Sequence, residues 1–204
     1  MDLKEFDQFA DEYYQNHKKN IAISGESPEY FHRYKIFETS NILKKYEFRP
    51  DVILDFGAGV GNSIPYFQEF FPKSELICVD VSPRSLEIAS KRYSEMAEML
   101  LIKNDRIDLP TSSVDLIFTA CVFHHINETQ HDYWLNELKR VIRPGGFIIL
   151  FEHNPLNPLT VHAVNTCPFD MNAKLQRAGN LKKKLLASGW KNSSIKYHVF
   201  FPGF

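Results

Sequence analysis

The chain contains the run Val52-Ile53-Leu54-Asp55-Phe56-Gly57-Ala58-Gly59-Val60-Gly61, in which an apolar stretch ends on an acidic residue and glycine then recurs at every second position. A short continuous apolar run of this kind is the signature of a buried strand. Glycine tolerates positive φ and has no Cβ, so three of them at alternate positions let the main chain turn sharply and approach a bound molecule closely. The residues that follow read as a helix, with Pro65 in its first turn, where a missing N–H does no harm, and Pro72 at its end. Amides at the start of such a helix face whatever the turn holds. A strand, a glycine turn and a helix in succession commit this part of the chain to an α/β fold with a binding cleft at the turn.

The same alternation continues downstream. Glu75–Asp80 reads as a second strand, and Ser82-Pro83 supplies a cap and a first-turn proline for a helix running to about Ala97. Further strands are expected at Met99–Ile102, Val114–Ala120 and Gly146–Glu152, with a helix over Asn127–Ile142. Strands written as continuous apolar runs between helices predict a doubly wound, mostly parallel Rossmann-like sheet with helices on both faces. Upstream, residues 3–20 and 28–46 read as two aromatic-rich helices separated by Ser24-Gly25-Glu26-Ser27-Pro28. Beyond the fifth strand, Asn154-Pro155-Leu156-Asn157-Pro158 predicts a rigid, irregular connection, followed by a helix near Asp170–Ala187 ending at Gly189 and a sixth strand at Ser194–Phe201. The expected organisation is one domain: a helical cap over 1–48, a core over 50–152 and a substrate-side region over 153–204.

The chain has 204 residues, 44% of them hydrophobic, and a net charge of −1, so the basic field of a nucleic-acid binder is absent. Cys78, Cys121 and Cys167 are widely spaced, with no C-x-x-C pair to bind zinc, and read as reduced thiols; no metal site is expected. The opening residues carry no basic region leading into an apolar core, and no apolar run approaches the roughly 18 residues of a membrane span, which predicts a soluble cytoplasmic protein.

Glycine spacing separates two kinds of nucleotide fold. A dinucleotide fingerprint G-x-G-x-x-G needs its third glycine at position 62, which is Asn62, and this weakens a nicotinamide-dependent oxidoreductase. Asp55-x-Gly57-x-Gly59-x-Gly61 instead resembles the first motif of the class I S-adenosylmethionine-dependent methyltransferases, and the likeness extends over roughly Phe6 to Phe201. Asp80, 19 positions beyond Gly61 at the end of the second strand, is close to the offset at which a carboxylate meets ribose hydroxyls. The resemblance implies that Asp105 contacts the adenine amino group and that Arg106 offers a backbone amide. It also implies an entry helix, Phe6-Asp7-x-x-Ala10-x-x-Tyr13, whose tyrosine helps close the pocket. The implied cofactor set is therefore Tyr13, Asp55, Gly57, Ala58, Gly59, Gly61, Asp80, Val81, Asp105, Arg106 and Cys121, with S-adenosyl-L-methionine as the cofactor. A seventh strand, antiparallel beside the sixth, belongs to that fold, and no residues remain to build it; an open sheet edge would invite pairing into a homodimer.

The Cys121-Val122-Phe123-His124-His125 segment follows the fourth strand, at the carboxyl edge where ligands of open α/β sheets gather. Imidazole titrates near neutrality and suits general-base work, with His125 ahead of His124 for that role; a packing role for the pair is equally open. Glu152-His153-Asn154 and Cys167-Pro168-Phe169-Asp170 lie where the family places acceptor contacts. The resemblance implies methyl transfer to a small, partly apolar molecule. The Asn-Pro-Pro type motif used on amino groups by some relatives does not occur in Thr119–His124, which favours an oxygen or carbon acceptor. The rival reading is a non-catalytic S-adenosylmethionine-binding sensor or partner subunit.

Overall fold

A computed structural model describes residues 26–167, 170 and 172–198. The expected entry helix over 3–20, with Tyr13, lies outside them. Ser27 caps the first described helix, α1 (Pro28–Lys45): its Oγ accepts the Tyr30 amide at 3.3 Å, Pro28 takes the first helical position, and Lys44 and Lys45 sit at the negative end of the helix dipole.

Five strands form one parallel sheet: β1 (Val52–Phe56), β2 (Glu75–Asp80), β3 (Glu98–Leu101), β4 (Val114–Ala120) and β5 (Ile142–Phe151), in the order β3-β2-β1-β4-β5. The connecting helices are α2 (Ile64–Phe70), α3 (Pro83–Tyr93) and α4 (His131–Val141); α5 (Pro158–Thr166) and α6 (Ala178–Ala187) follow the sheet. Alternate strand residues feed two cores. Ile53, Leu76, Cys78, Leu116 and Phe118 pack with Ile36 of α1 and Phe67 of α2 on one face. Leu54, Phe56, Ile77, Val79 and Ile117 pack with Trp134, Leu138 and Leu181 of α4 and α6 on the other. Apolar positions on both sides of every central strand are what a sheet covered on both faces requires. The order of winding reverses between β1 and β4, so both carboxyl ends open onto one crevice, where open α/β sheets bind ligands.

β2 and β4 fall where the sequence predicts them. The helix α3 stops at Tyr93 rather than near Ala97, and a 3₁₀ turn over Glu128–Gln130, capped by Asn127, precedes α4. β5 begins at Ile142, four residues before the expected start, because Arg143-Pro144-Gly145-Gly146 arches out of register: Val114 pairs with Ile142 but Leu116 pairs with Phe147. Gly145 adopts φ +85, and a Cβ on Gly146 would meet the Asp115 carbonyl at 2.7 Å. Asp115 fastens this end of the sheet, accepting the Asp51 and Val52 amides at 3.0 and 2.9 Å and the Arg143 guanidinium at 2.8 Å.

The carboxyl-terminal region differs more. The expected irregular connection is present over residues 152–157, but a helix not expected there, α5, follows it, with Asn157 accepting the Leu159 amide as its cap and Pro158 at the first position. Of the expected helix near 170–187, the α-helix runs over Ala178–Ala187, and residues 173–177 have no regular structure. Of the expected sixth strand, Ser194–His198 forms no ladder with the described strands; the remainder lies outside the described residues.

Candidate functional site

The glycine turn is held from below by β2: the Gly57 and Ala58 amides both donate to the Val79 carbonyl, at 2.8 and 3.1 Å. All three glycines have positive φ, at +80, +55 and +79, but for different reasons. A Cβ on Gly57 would lie 2.4 Å from Val122 Cγ2, and one on Gly61 would lie 2.7 Å from Ile64 Cδ1 and 3.1 Å from Ala89 Cβ. Those two glycines let the turn pack against protein. A Cβ on Gly59 would meet nothing within 4 Å, so Gly59 presents bare main chain to open space.

Asp80, at the end of β2, reaches that same point. Its Oδ2 accepts the Gly59 amide at 2.8 Å and its Oδ1 accepts the Ser82 amide at 2.9 Å. Asp80 also lines the cleft, beside the bare main chain of Gly59. Asp55, at the end of β1, is 3% exposed. Burial and the neighbouring Asp80 charge raise its carboxyl to about 7, with Lys35 pulling the other way.

The opposite wall is built on β4 and β5. Cys121 closes β4 at φ +60, with its amide bonded to the Phe151 carbonyl. Lys35 of α1 places Nζ 3.7 Å from its Sγ. Burial pushes this thiol up, but the charges of His153 and Lys35 and a hydrogen bond from His153 outweigh it and bring the thiol down to about 6. Residues Phe123–His125 then form a 3₁₀ turn. Glu152, just past β5, anchors that turn: its Oε1 accepts the Val122 and Phe123 amides at 3.0 and 2.7 Å, and its Oε2 lies 2.6 Å from His124 Nδ1. On the far side, Asp170 Oδ1 lies 3.4 Å from His124 Nε2 and 3.3 Å from His125 Nε2. The Lys174 amide donates to the His124 carbonyl at 2.8 Å, joining the segment after Asp170 to the turn. His124 is 1% exposed, and burial alone would favour its neutral form; the nearby Asp170 carboxylate and the hydrogen bond to Glu152 outweigh that and raise it to about 10. The same contacts hold both carboxyls below the usual range. A ring held between two carboxylates is favoured in its protonated form when no other cation lies between them, which speaks against His124 as a general base.

These walls enclose a cleft of about 1550 Å³. That exceeds the roughly 300–1,000 Å³ of single-ligand pockets, because the space runs on past the site along β5 as far as Gly145. Of the expected site residues, Asp55, Gly57, Ala58, Gly59, Asp80, Val81, Cys121, His124 and His125 line it. Gly61 does not; its neighbours are α2 and α3 side chains. Asp105 and Arg106 do not either. Asp105 sits at φ +54 in a tight turn bridged by Lys103 and Arg106, both are exposed, and its carbonyl accepts the Tyr133 hydroxyl at 2.8 Å. At the end of β3 the residue lining the cleft is the apolar Ile102. Tyr30, Phe31 and Tyr34 of α1 line it from above, and Lys35 joins them. Sequence reasoning missed Lys35, which carries no signal beyond membership of an aromatic helix.

Comparisons with known proteins converge on this core. Residues 53–146 match the family model described as "Methyltransferase domain". The chain is 29% identical over 101 residues to a malonyl-[acyl-carrier protein] O-methyltransferase of Hahella chejuensis, covering 49% of this chain and 36% of that protein. It is 26% identical over 124 residues to a ubiquinone/menaquinone biosynthesis C-methyltransferase of the same organism, covering 57% of this chain and 49% of that one. The chain thus spans between a third and a half of the length of these relatives. Among solved structures, a SAM-dependent methyltransferase from Aquifex aeolicus superposes with a TM-score of 0.58 at 23% identity, over 77% of this chain and 81% of that one, a likeness of fold. No helix among the described residues is long and apolar enough to cross a membrane.

Proposed function

We propose, from the match of residues 53–146 to the methyltransferase-domain family model, that this chain is a class I S-adenosylmethionine-dependent methyltransferase and catalyses methyl transfer to a small acceptor at oxygen or carbon. The observation that carries the reading is the meeting of Asp80 with the bare backbone of Gly59: a cleft-lining carboxylate beside the one glycine of the turn whose Cβ position is open. Asp80 would hold the ribose hydroxyls, the Gly57–Gly59 main chain would lie along the amino-acid portion, and Val81 and Ile102 would supply apolar surface for the base. Gly61, Asp105 and Arg106 have no part in this set. The bound cofactor supplies an electrophilic methyl on a sulfonium.

What the protein contributes is placement. Holding two reactants in line at near-attack distance removes much of the entropic barrier without an acid or base. Tyr30, Phe31 and Tyr34 give the acceptor side an apolar roof, and His125 and Asn154 give it polar contacts. A near-neutral chain supports a small acceptor over a nucleic acid. The oxygen- and carbon-directed names of the two relatives support those acceptor atoms. Self-association through the β5 edge of the sheet belongs to the same reading and is checked by sedimentation.

Titration calorimetry with S-adenosylmethionine and NAD in parallel tests the cofactor assignment, and tight NAD binding without the other would defeat it. Release of S-adenosylhomocysteine with hydroxylated and enolisable acceptors then separates an enzyme from a binding module, which would bind the cofactor and turn nothing over.

A further inference from the structure

The clamp around His124 is more than a charged buttress. His124 Nε2, His125 Nε2 and an Asp170 carboxylate oxygen all lie within 4.8 Å of one another. Asp170 Oδ1 stands 3.4 Å from the first and 3.3 Å from the second. Ligand atoms about 2.0–2.2 Å from a common ion in tetrahedral or octahedral geometry lie about 2.8–3.6 Å apart. The two spacings seen here are those of adjacent ligands. They are long for hydrogen bonds, and His124 Nε2, fully buried, has no partner in hydrogen-bond geometry.

The surroundings are also those of a metal site. A ligating histidine ordinarily gives its other ring nitrogen to a carboxylate that fixes ring orientation and tautomer. His124 does this through Nδ1, 2.6 Å from Glu152, and Glu152 is itself fixed by the Val122 and Phe123 amides. Asp170 comes from a distant stretch of chain but is braced: its amide donates to the Cys167 carbonyl, its carbonyl accepts the Ala173 amide, and the Lys174 amide donates to the His124 carbonyl. Two of the three residues lie on a single 3₁₀ turn, and all three line the cleft.

We propose that His124, His125 and Asp170 form a binding site for a divalent transition-metal ion, with Glu152 orienting His124 and the open positions facing the acceptor end of the cleft. Two imidazoles and one carboxylate favour manganese, iron, cobalt, nickel or zinc over magnesium or calcium, which prefer oxygen ligands throughout. The open positions would take an acceptor oxygen, so the acceptor class is one that offers an alkoxide, enolate or carboxylate oxygen to a Lewis acid. This statement about acceptors rests on the methyltransferase reading; the metal site does not.

The test uses the full chain, stripped with a chelator and titrated with cobalt(II) without any cofactor. The expected result is one equivalent of cobalt per chain, with visible d–d absorption. Asp170→Asn and His125→Gln, both close in shape to the parent, should each weaken cobalt binding by at least about tenfold, while S-adenosylmethionine binding, measured by calorimetry on the same samples, reports that the variants are folded. Absence of stoichiometric cobalt binding by the parent chain, or equal binding by folded variants, overturns the proposal and leaves the three residues a hydrogen-bonded clamp. Either result is independent of methyl transfer, which stands or falls on cofactor binding and turnover.

Discussion

Asp80 Oδ2 and the Gly59 amide lie 2.8 Å apart across the mouth of the sheet, so one carboxylate both shapes the glycine turn and faces the space beside it. Asp80→Ala removes a charge-assisted contact to bound ligand and slackens the turn together. With such hydrogen bonds worth about 1.5–3 kcal/mol, affinity for S-adenosylmethionine should fall by about ten- to a hundredfold in titration calorimetry. An unchanged dissociation constant would remove Asp80 from the site.

Two neighbouring glycines should fail in different ways when a methyl group is added. Gly57→Ala drives a Cβ into the stiff Val122 side chain at φ +80, combining overpacking and backbone strain of about 2–4 kcal/mol, and should lower Tm by roughly 5–15 °C. Gly59→Ala meets no protein atom and should lower Tm by only a few degrees, yet cost at least about tenfold in cofactor affinity because its methyl enters the cleft. Calorimetric scans and titrations on the pair decide it; equal losses of Tm would refute the division of roles.

Asp55 makes stability pH-dependent. Its carboxyl is raised from 3.8 to about 7 in the fold, so between those values the folded chain holds a proton that the unfolded chain has released. The associated stability is present below about pH 4 and is lost as pH rises through about 7. Asp55→Asn mimics the neutral form and should flatten the fall in Tm between pH 5 and 8, gaining on the order of 2 kcal/mol, or about 4–8 °C, at the alkaline end. Parallel Tm profiles for the two proteins would show that this carboxyl is not the source.

Cys121 should react as a thiolate at unusually low pH. With its thiol near 6, alkylation by iodoacetamide should reach half its limiting rate close to pH 6, against about 8.5 for an ordinary thiol. Peptide mapping distinguishes it from Cys78 and Cys167, which are both buried. Lys35→Met should move the midpoint upward by removing a cation 3.7 Å from sulfur. An ordinary titration curve for Cys121 would contradict the charge arrangement around it.

The sheet was readable because its strands are continuous apolar runs broken by proline and glycine, and the glycine turn because its spacing is a steric requirement. The Ser82 cap was readable because its chemistry is local: its Oγ does accept the Ser85 amide. The sequence misled where distant contacts decide. The irregular connection is present up to Asn157, but Asn157-Pro158 is also a helix start, and the α5 that follows was not foreseen. Asp105 has the right offset from β3, but two consecutive positive-φ residues, Asn104 and Asp105, turn it outward. The grouping of His124 and His125 with Glu152 and Asp170 could not be foreseen, since 27 residues separate Glu152 from His125 and Asp170 approaches from beyond α5. Lys35 likewise gains its meaning only because α1 crosses the end of β4.

The Asp115 knot has a consequence for how such a chain can change. It ties the entry of β1 to Arg143 at the sheet edge remote from Cys121, using two main-chain amides and one guanidinium. Rigidity is thereby secured at one rim without drawing on the Glu152–His124–Asp170 contacts that brace the other. Substitutions at Asn154, Leu159 or Tyr30, which line the cleft, are therefore expected to leave the Asp115 tie and the register of the sheet intact.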